Sequence, residues 1–169
     1  SERLELEIRR DGSVYRQAYE KGSPTGPLEV VGVTDKSGTT ISFLPDHTIF
    51  EVKEFSHDTL SQRFRELAFL NRGITITLVD ERQGREKVFH FEGGILSFVE
   101  HLNRNRNALH SPAIYIEGGA DGMECEIALQ WNDGYQAAVF SFANTVNTHE
   151  GGTHLSGLRA ALTRTINNY

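Results

Sequence analysis

No run of apolar residues in this chain approaches the ~20 that a membrane-spanning helix needs. Its start, Ser1-Glu2-Arg3, shows no initiator Met and no basic segment leading into an apolar one, so no export leader is read there. A cytoplasmic location without membrane contact is expected. Cysteine is nearly absent: Cys125 stands alone, which excludes an internal disulfide. It alternates with Ile127 and Leu129, a pattern that predicts a buried strand thiol rather than a reactive one. A basic excess is missing too. Lys and Arg total 17 against 23 Asp and Glu, for a formal charge of -6. Gripping duplex DNA takes clustered cations that displace counterions from phosphates. Here the cations are scattered, so this stretch is not expected to be a main DNA grip. Internal repeats and low-complexity tracts are also lacking.

What is present is a globular composition, 38% hydrophobic and 24% charged, rather than a disordered one. A chain of 169 residues can form one domain or two small ones. Leu4, Leu6 and Ile8 alternate with Glu5, Glu7 and Arg9, which predicts a strand with one wet face. Asp11-Gly12 tolerates positive φ at both positions and predicts a hairpin turn into a return strand over 14–20. Residues 22–27 read as a Pro/Gly loop. The β-branched stretches 29–33 and 39–44 read as strands joined by Asp35-Lys36-Ser37-Gly38.

A helix is expected next, capped by Ser56 or Asp58, with an apolar stripe at Leu60, Phe64, Leu67 and Ala68 and a stop at Gly73. A second hairpin is expected around Gln83-Gly84. Glu92-Gly93-Gly94 reads as a sharp strand-to-helix turn ahead of Ile95, Phe98, Val99 and Leu102. The polar segment 103–112 is the best candidate for a boundary or crossing. Beyond it, 113–117, 124–131 and 136–148 predict a three-stranded antiparallel meander, with turns at 118–122 and at Asn132-Asp133-Gly134. Leu155, Leu158, Leu162 and Ile166 stripe a terminal helix that Thr153 is expected to cap. The fold class is therefore α+β rather than a strict βαβ alternation.

Several strings go beyond propensity. Residues 126–135 read Glu-Ile-Ala-Leu-Gln-Trp-Asn-Asp-Gly-Tyr. Gly151-Gly152-Thr153-His154-Leu155 runs on to Thr163-Arg164-Thr165-Ile166-Asn167-Asn168-Tyr169. With Tyr19-Glu20-Lys21-Gly22, Phe43-Leu44-Pro45-Asp46 and Arg65-Glu66-Leu67-Ala68-Phe69-Leu70-Asn71, they make the chain resemble, from end to end, the B subunits of bacterial DNA gyrase, ATP-dependent type II topoisomerases. The resemblance implies an internal fragment. Residues 1–95 would be the C-terminal half of a GHKL ATPase domain, a mixed sheet with helices on one face. Residues 96–169 would be the N-terminal half of the transducer domain, an antiparallel sheet plus helix. It also implies negative supercoiling by double-strand passage, with ATP and magnesium as cofactors of the complete protein. Its implied partners are the A subunit of gyrase and double-stranded DNA, and its implied inhibitors are of the coumarin type. Two alternatives stay open: the B subunit of topoisomerase IV, which decatenates, and a non-catalytic module keeping the ATPase-transducer scaffold.

On the same resemblance, Gly38 and Thr39 match a motif lining the adenine pocket, where the threonine hydroxyl joins a water network around the purine edge. A small hydroxyl can donate or accept, directly or through water. Ile41 would supply apolar floor two residues on, and Arg10 would stand at the rim where coumarins bind. The general base, the magnesium ligand and the phosphate lid are expected to precede this stretch, so no catalytic residue is expected within it. Tyr169 is not the DNA-cleaving tyrosine. Read without the family, Gly38-Thr39 is a turn entering a strand and Arg10 a solvated hairpin charge. His149 and His154 stand i, i+5 with two glycines between them, which fails the i, i+4 spacing of a zinc helix, so no metal ligand is expected.

Overall fold

The computed structural model describes every residue from Ser1 to Tyr169 except Lys53. The chain divides into two compact units, Ser1–Phe55 and Ser56–Tyr169. The α+β class read from the sequence is the one found, and every strand pair among the described residues is antiparallel.

The first unit is one sheet. β1 (Arg3–Arg10) and β2 (Ser13–Glu20) form a hairpin whose turn residues, Asp11 and Gly12, both take positive φ, 51° and 79°. That is the geometry Asp-Gly favours, because its twist matches the strands it joins. β3 (Ser23–Pro24) and β4 (Glu29–Val33) both pair with β2, while β5 (Gly38–Leu44) pairs with the far edge of β1. β4 and β5 are neighbours in sequence but not in the sheet. Their link passes the tip of the hairpin, where Thr34 donates its backbone N–H to the Gly12 carbonyl at 3.0 Å.

Period-two alternation sorts the sheet into two chemistries. One face carries Glu7, Arg9, Arg16 and Thr40 in a single network: Arg16 donates to Glu7 at 2.7 Å and Arg9 donates to Thr40 at 2.8 Å. Arg16, with Arg9 adding to it, holds the Glu7 carboxyl below its usual range. The opposite face carries Leu4, Leu6, Ile8, Tyr15, Tyr19, Ile41 and Phe43.

In the second unit, α1 (His57–Leu70) starts at Ser56, whose Oγ accepts from the Thr59 N–H at 3.3 Å, as a helix cap does. Asn71 closes it by donating both its backbone N–H and its side-chain Nδ2 to the Leu67 carbonyl. Gly73 then turns the chain with φ 76° into β6 (Thr75–Asp80), which pairs with β7 (Arg85–His90). Ala68 packs with Leu78 and Phe89, flanked by Leu60, Phe64, Ile76 and Phe91. Phe69 lies one position beyond the expected stripe and is 2% exposed. Its ring stacks 3.6 Å from Phe91 and 5.2 Å from Phe98 of α2 (Gly94–Asn103), so it joins α1 to both neighbours.

β8 (Ile114–Ala120) and β9 (Met123–Leu129) form the next hairpin. Gly118 and Gly119 extend β8 instead of turning it, and the turn falls on Asp121-Gly122, both at positive φ. Cys125 is exposed, not buried as its alternation suggested. It pairs with Gly118, which has no side chain to lie beside it. The expected third strand is also corrected. Residues 136–141 lie outside any strand, and Asn144-Thr145, at φ 47° and 70°, folds the remainder into the short pair β10 (Phe142–Ala143) and β11 (Val146–Asn147). α3 (Thr153–Asn167) is the expected terminal helix, but Gly152 takes the cap position with no side-chain bond, so Thr153 opens the helix without capping it. Its Leu155, Leu158 and Leu162 are half-buried and Ile166 is exposed. Among the described residues no helix is long and apolar enough to cross a membrane.

Candidate functional site

Antiparallel register brings the residues singled out in the first unit to one corner of one sheet. Thr39 lies opposite Ile8, Ile41 opposite Leu6, and Gly38 opposite Arg9. Arg10 follows Ile8 by two residues, so Arg10, Thr39 and Ile41 share the apolar face, about 7 Å apart along the strands. Gly38 stands on the other parity. Its φ of 152° is a value L side chains rarely adopt, and a Cβ there would meet nothing within 4 Å. Gly38 therefore answers a backbone demand at the entry to β5, not a close approach.

This corner is open. Thr39 is exposed, and Ile41 is 58% exposed. A sealed hydrophobic interior around Thr39 would leave its hydroxyl nothing to address, and the fold does not place it in one. The Arg10 guanidinium is well exposed and pairs with Asp11 at 3.3 Å. The corner thus offers one hydroxyl, one aliphatic floor residue and one solvated cation, a set that can line a flat polar-edged ligand.

The far end of β5 is anchored by a different device. Asp46 is buried at 3% exposure and accepts from the Thr48 N–H at 2.9 Å and its hydroxyl at 2.7 Å. Those bonds hold its carboxyl below the usual range. Glu2, Asp46 and His47 are the one group of three carboxylate or imidazole donors gathered within 4.8 Å among the described residues. Thr48 occupies one Asp46 oxygen and His47 bonds Glu2 at 3.0 Å, which accounts for the cluster as a turn lock.

In the second unit the sequence strings resolve into latches. The segment 103–112 is tied to Gln130-Trp131-Asn132-Asp133. Asn103 donates to Gln130 and accepts from Asn132, each at 2.8 Å, and Asn107 donates to Asp133 at 2.8 Å. His110 accepts from the Trp131 N–H at 3.1 Å. The amides and Asp133 are therefore structural, each answering a group the irregular backbone leaves open. A second latch was not anticipated. Arg72, just past α1, donates to the Tyr115 hydroxyl at 2.6 Å and pairs with Glu126 at 3.5 Å, and its guanidinium lies 5.2 Å from the Tyr115 ring centre. Tyr115 in turn approaches Glu117 and Glu126 at 2.9 and 3.0 Å. Burial and those carboxylates push the phenol pKa up. The sequence signal was available only as an aromatic residue alternating with acids on a strand.

The chain is similar to several known proteins. Residues 94–169 match the family described as DNA gyrase B. The DNA gyrase B subunit of Myxococcus xanthus is 53% identical over 169 residues, all of this chain and 21% of that relative. The Bacillus mycoides protein of the same name is 49% identical over 171 residues, again all of this chain, and 42% of its own length. The 43K ATPase domain of Thermus thermophilus gyrase B, solved with an aminocoumarin, superposes with a TM-score of 0.86 at 34% identity over 100% of this chain and 47% of that one. The chain thus has the α+β architecture of gyrase B ATPase structures. It is similar along its whole length to DNA gyrase B subunits, and its residues 94–169 match that family. It spans between 21% and 42% of the length of these two curated relatives.

Proposed function

We propose that this stretch serves the ATPase subunit of a DNA gyrase, an ATP-dependent type II topoisomerase that introduces negative supercoils by double-strand passage. Residues 1–95 would belong to the GHKL ATPase domain and 96–169 to the transducer that relays nucleotide state. Thr39, Gly38, Ile41 and Arg10 form one wall of the purine pocket. The remaining walls, the general base and the magnesium ligands come from elsewhere in the complete protein, so the stretch does not hydrolyse ATP by itself. Its partners are the gyrase A protein, two copies of which join two B copies in a heterotetramer, and double-stranded DNA. Coumarin-type inhibitors compete at the Arg10 rim.

The observation that carries this reading is the exposure of Thr39 beside Ile41 on a sheet that matches gyrase B structures across its whole length. A hydroxyl beside an exposed apolar residue suits a ligand that joins a polar edge to a flat apolar body. ATP supplies a base edge with donor beside acceptor, and magnesium neutralises its phosphates during hydrolysis. The test is Thr39→Ala in the complete protein. ATP affinity is expected to fall by about tenfold, the worth of one well-made hydrogen bond, with altered coumarin sensitivity. Unchanged ATP affinity and drug response would remove Thr39 from the pocket. Supercoiling by the reconstituted enzyme, against decatenation alone, separates gyrase from topoisomerase IV.

A further inference from the structure

The second unit contains a cavity of about 360 Å³ that the nucleotide reading does not use. That volume falls within the ~300–1,000 Å³ typical of small-ligand sites. Arg65 of α1, Lys87 of β7 and His101 of α2 line it together with Phe98, Leu102 and Phe140. Phe98 and Phe140 meet edge to face, 5.4 Å apart, and make an aromatic wall.

The two acids on this wall, Asp58 and Glu66, are not paired with its two cations, Arg65 and Lys87. Glu66 also lines the cavity, but it is already committed to Arg63 at 3.2 Å. Asp58 is almost fully exposed and sits 3.5 Å from His57. Arg65 is half-buried and has no hydrogen-bond or ion-pair acceptor among the described residues. Lys87 has no carboxylate partner among them either, only the Phe89 ring at 5.5 Å. The five guanidinium donors of Arg65 face a concave site with no acceptor on them among the described residues, a geometry able to take an oxyanion. The aromatic wall beside them favours a ligand with a flat apolar body.

We propose that this cavity binds a small aromatic oxyanion, with Arg65 and Lys87 holding a phosphate or carboxylate group and Phe98, Phe140 and Leu102 holding the ring. His101 then serves as a built-in reporter. Burial and the charges of Arg65 and Arg104 pull its pKa down. Lys87 adds to that positive field, and Asp58 and Glu66 oppose it. An anion on Arg65 would relieve the repulsion and move the imidazole pKa back up.

The experiment follows the His101 imidazole by NMR in the full chain, its signal identified by loss in His101→Gln. The probes are phenyl phosphate, benzoate and inorganic phosphate, each taken to about 20 mM. Phenyl phosphate or benzoate should move the signal saturably and raise the His101 pKa, and whichever binds more tightly names the head group. Inorganic phosphate should bind about tenfold more weakly, because it lacks the ring. Arg65→Gln should weaken binding about tenfold or more, and Arg65→Lys should restore part of it. If Arg65→Gln does not fold, Lys87→Gln takes its place, with a smaller loss expected. The proposal is overturned if neither aromatic probe moves His101, if inorganic phosphate binds as well as phenyl phosphate, or if binding survives the substitutions unchanged. The same titration in Thr39→Ala, a residue outside this cavity's lining, should give the same shift, so failure of this proposal is distinguishable from failure of the ATPase reading.

Discussion

Gly94 carries two demands at once, and a double-mutant cycle separates them. Its φ is 58°, in the left-handed region, and a Cβ there would lie 2.8 Å from Cγ and 3.1 Å from Cδ of Arg72, and closer still to Nε. Gly94→Ala should therefore cost ~1–2 kcal/mol for the left-handed backbone and a further ~1–3 kcal/mol for overpacking against Arg72. Those crowded atoms are the middle of the side chain that reaches Tyr115 and Glu126, so it cannot swing aside and keep its latch. Arg72→Ala alone removes that latch, which is partly exposed, at roughly 0.5–1.5 kcal/mol. In the Arg72→Ala background the overpacking disappears and Gly94→Ala should cost only the backbone share, ~1–2 kcal/mol. Chemical denaturation of the four proteins should thus show a coupling of ~1–3 kcal/mol between Arg72 and Gly94. Additivity within about 0.5 kcal/mol would refute the clash. Gly93 provides the control. Its φ of -82° suits any residue, and the added Cβ would overlap the terminal Oγ of Ser97, which can rotate away, and press its Cβ at 3.1 Å, which needs a shift of only a few tenths of an ångström. Gly93→Ala should cost clearly less than Gly94→Ala.

Phe69→Ala should destabilise the second unit by ~3–5 kcal/mol, because its ring is buried between Phe91 and Phe98. A loss under about 1 kcal/mol in denaturant unfolding would mean that the ring does not join the two helices. His90 gives a pH test. Its Nδ1 donates to the Ile74 carbonyl at 3.0 Å and its Nε2 to Glu92 at 2.8 Å, so the fold favours the doubly protonated ring and raises its pKa. The stabilisation is complete below the ordinary imidazole pKa and fades as pH rises through the raised one. His90→Gln should therefore cost more near pH ~5.5 than near pH ~8.5, as read from melting temperatures. An equal or larger cost at the higher pH would contradict the assignment.

Much of the fold was legible because it rests on short-range rules. Asp11-Gly12, the Ser56 cap, the Leu60–Phe64–Ala68 stripe and the Gly93-Gly94 break each follow from residues within a turn of one another. Reading failed where the deciding partner was distant. The alternation through Cys125 predicted burial, but burial of a strand face depends on a second layer, and none covers this thiol. The run 136–148 had strand-like residues, yet Asn144-Thr145 turned it back on itself. The polar segment 103–112 gave no hint in sequence that its amides bond those of 130–133.

For the candidate sites the division is similar. Family strings alone drew attention to Gly38, Thr39, Ile41 and Arg10, since a threonine at the head of a strand has no chemistry of its own. Register then set Thr39, Ile41 and Arg10 on one open sheet face. The Arg65–Lys87–His101 cavity had no signature in the sequence, because a helix, a strand and a second helix each contribute one basic side chain. Residue order fixes which groups stand three, four or two apart, and so determined the helices, turns and strand faces. Which charges find an acceptor and which are left facing a cavity depends on distances through space, and only the packed chain decides those.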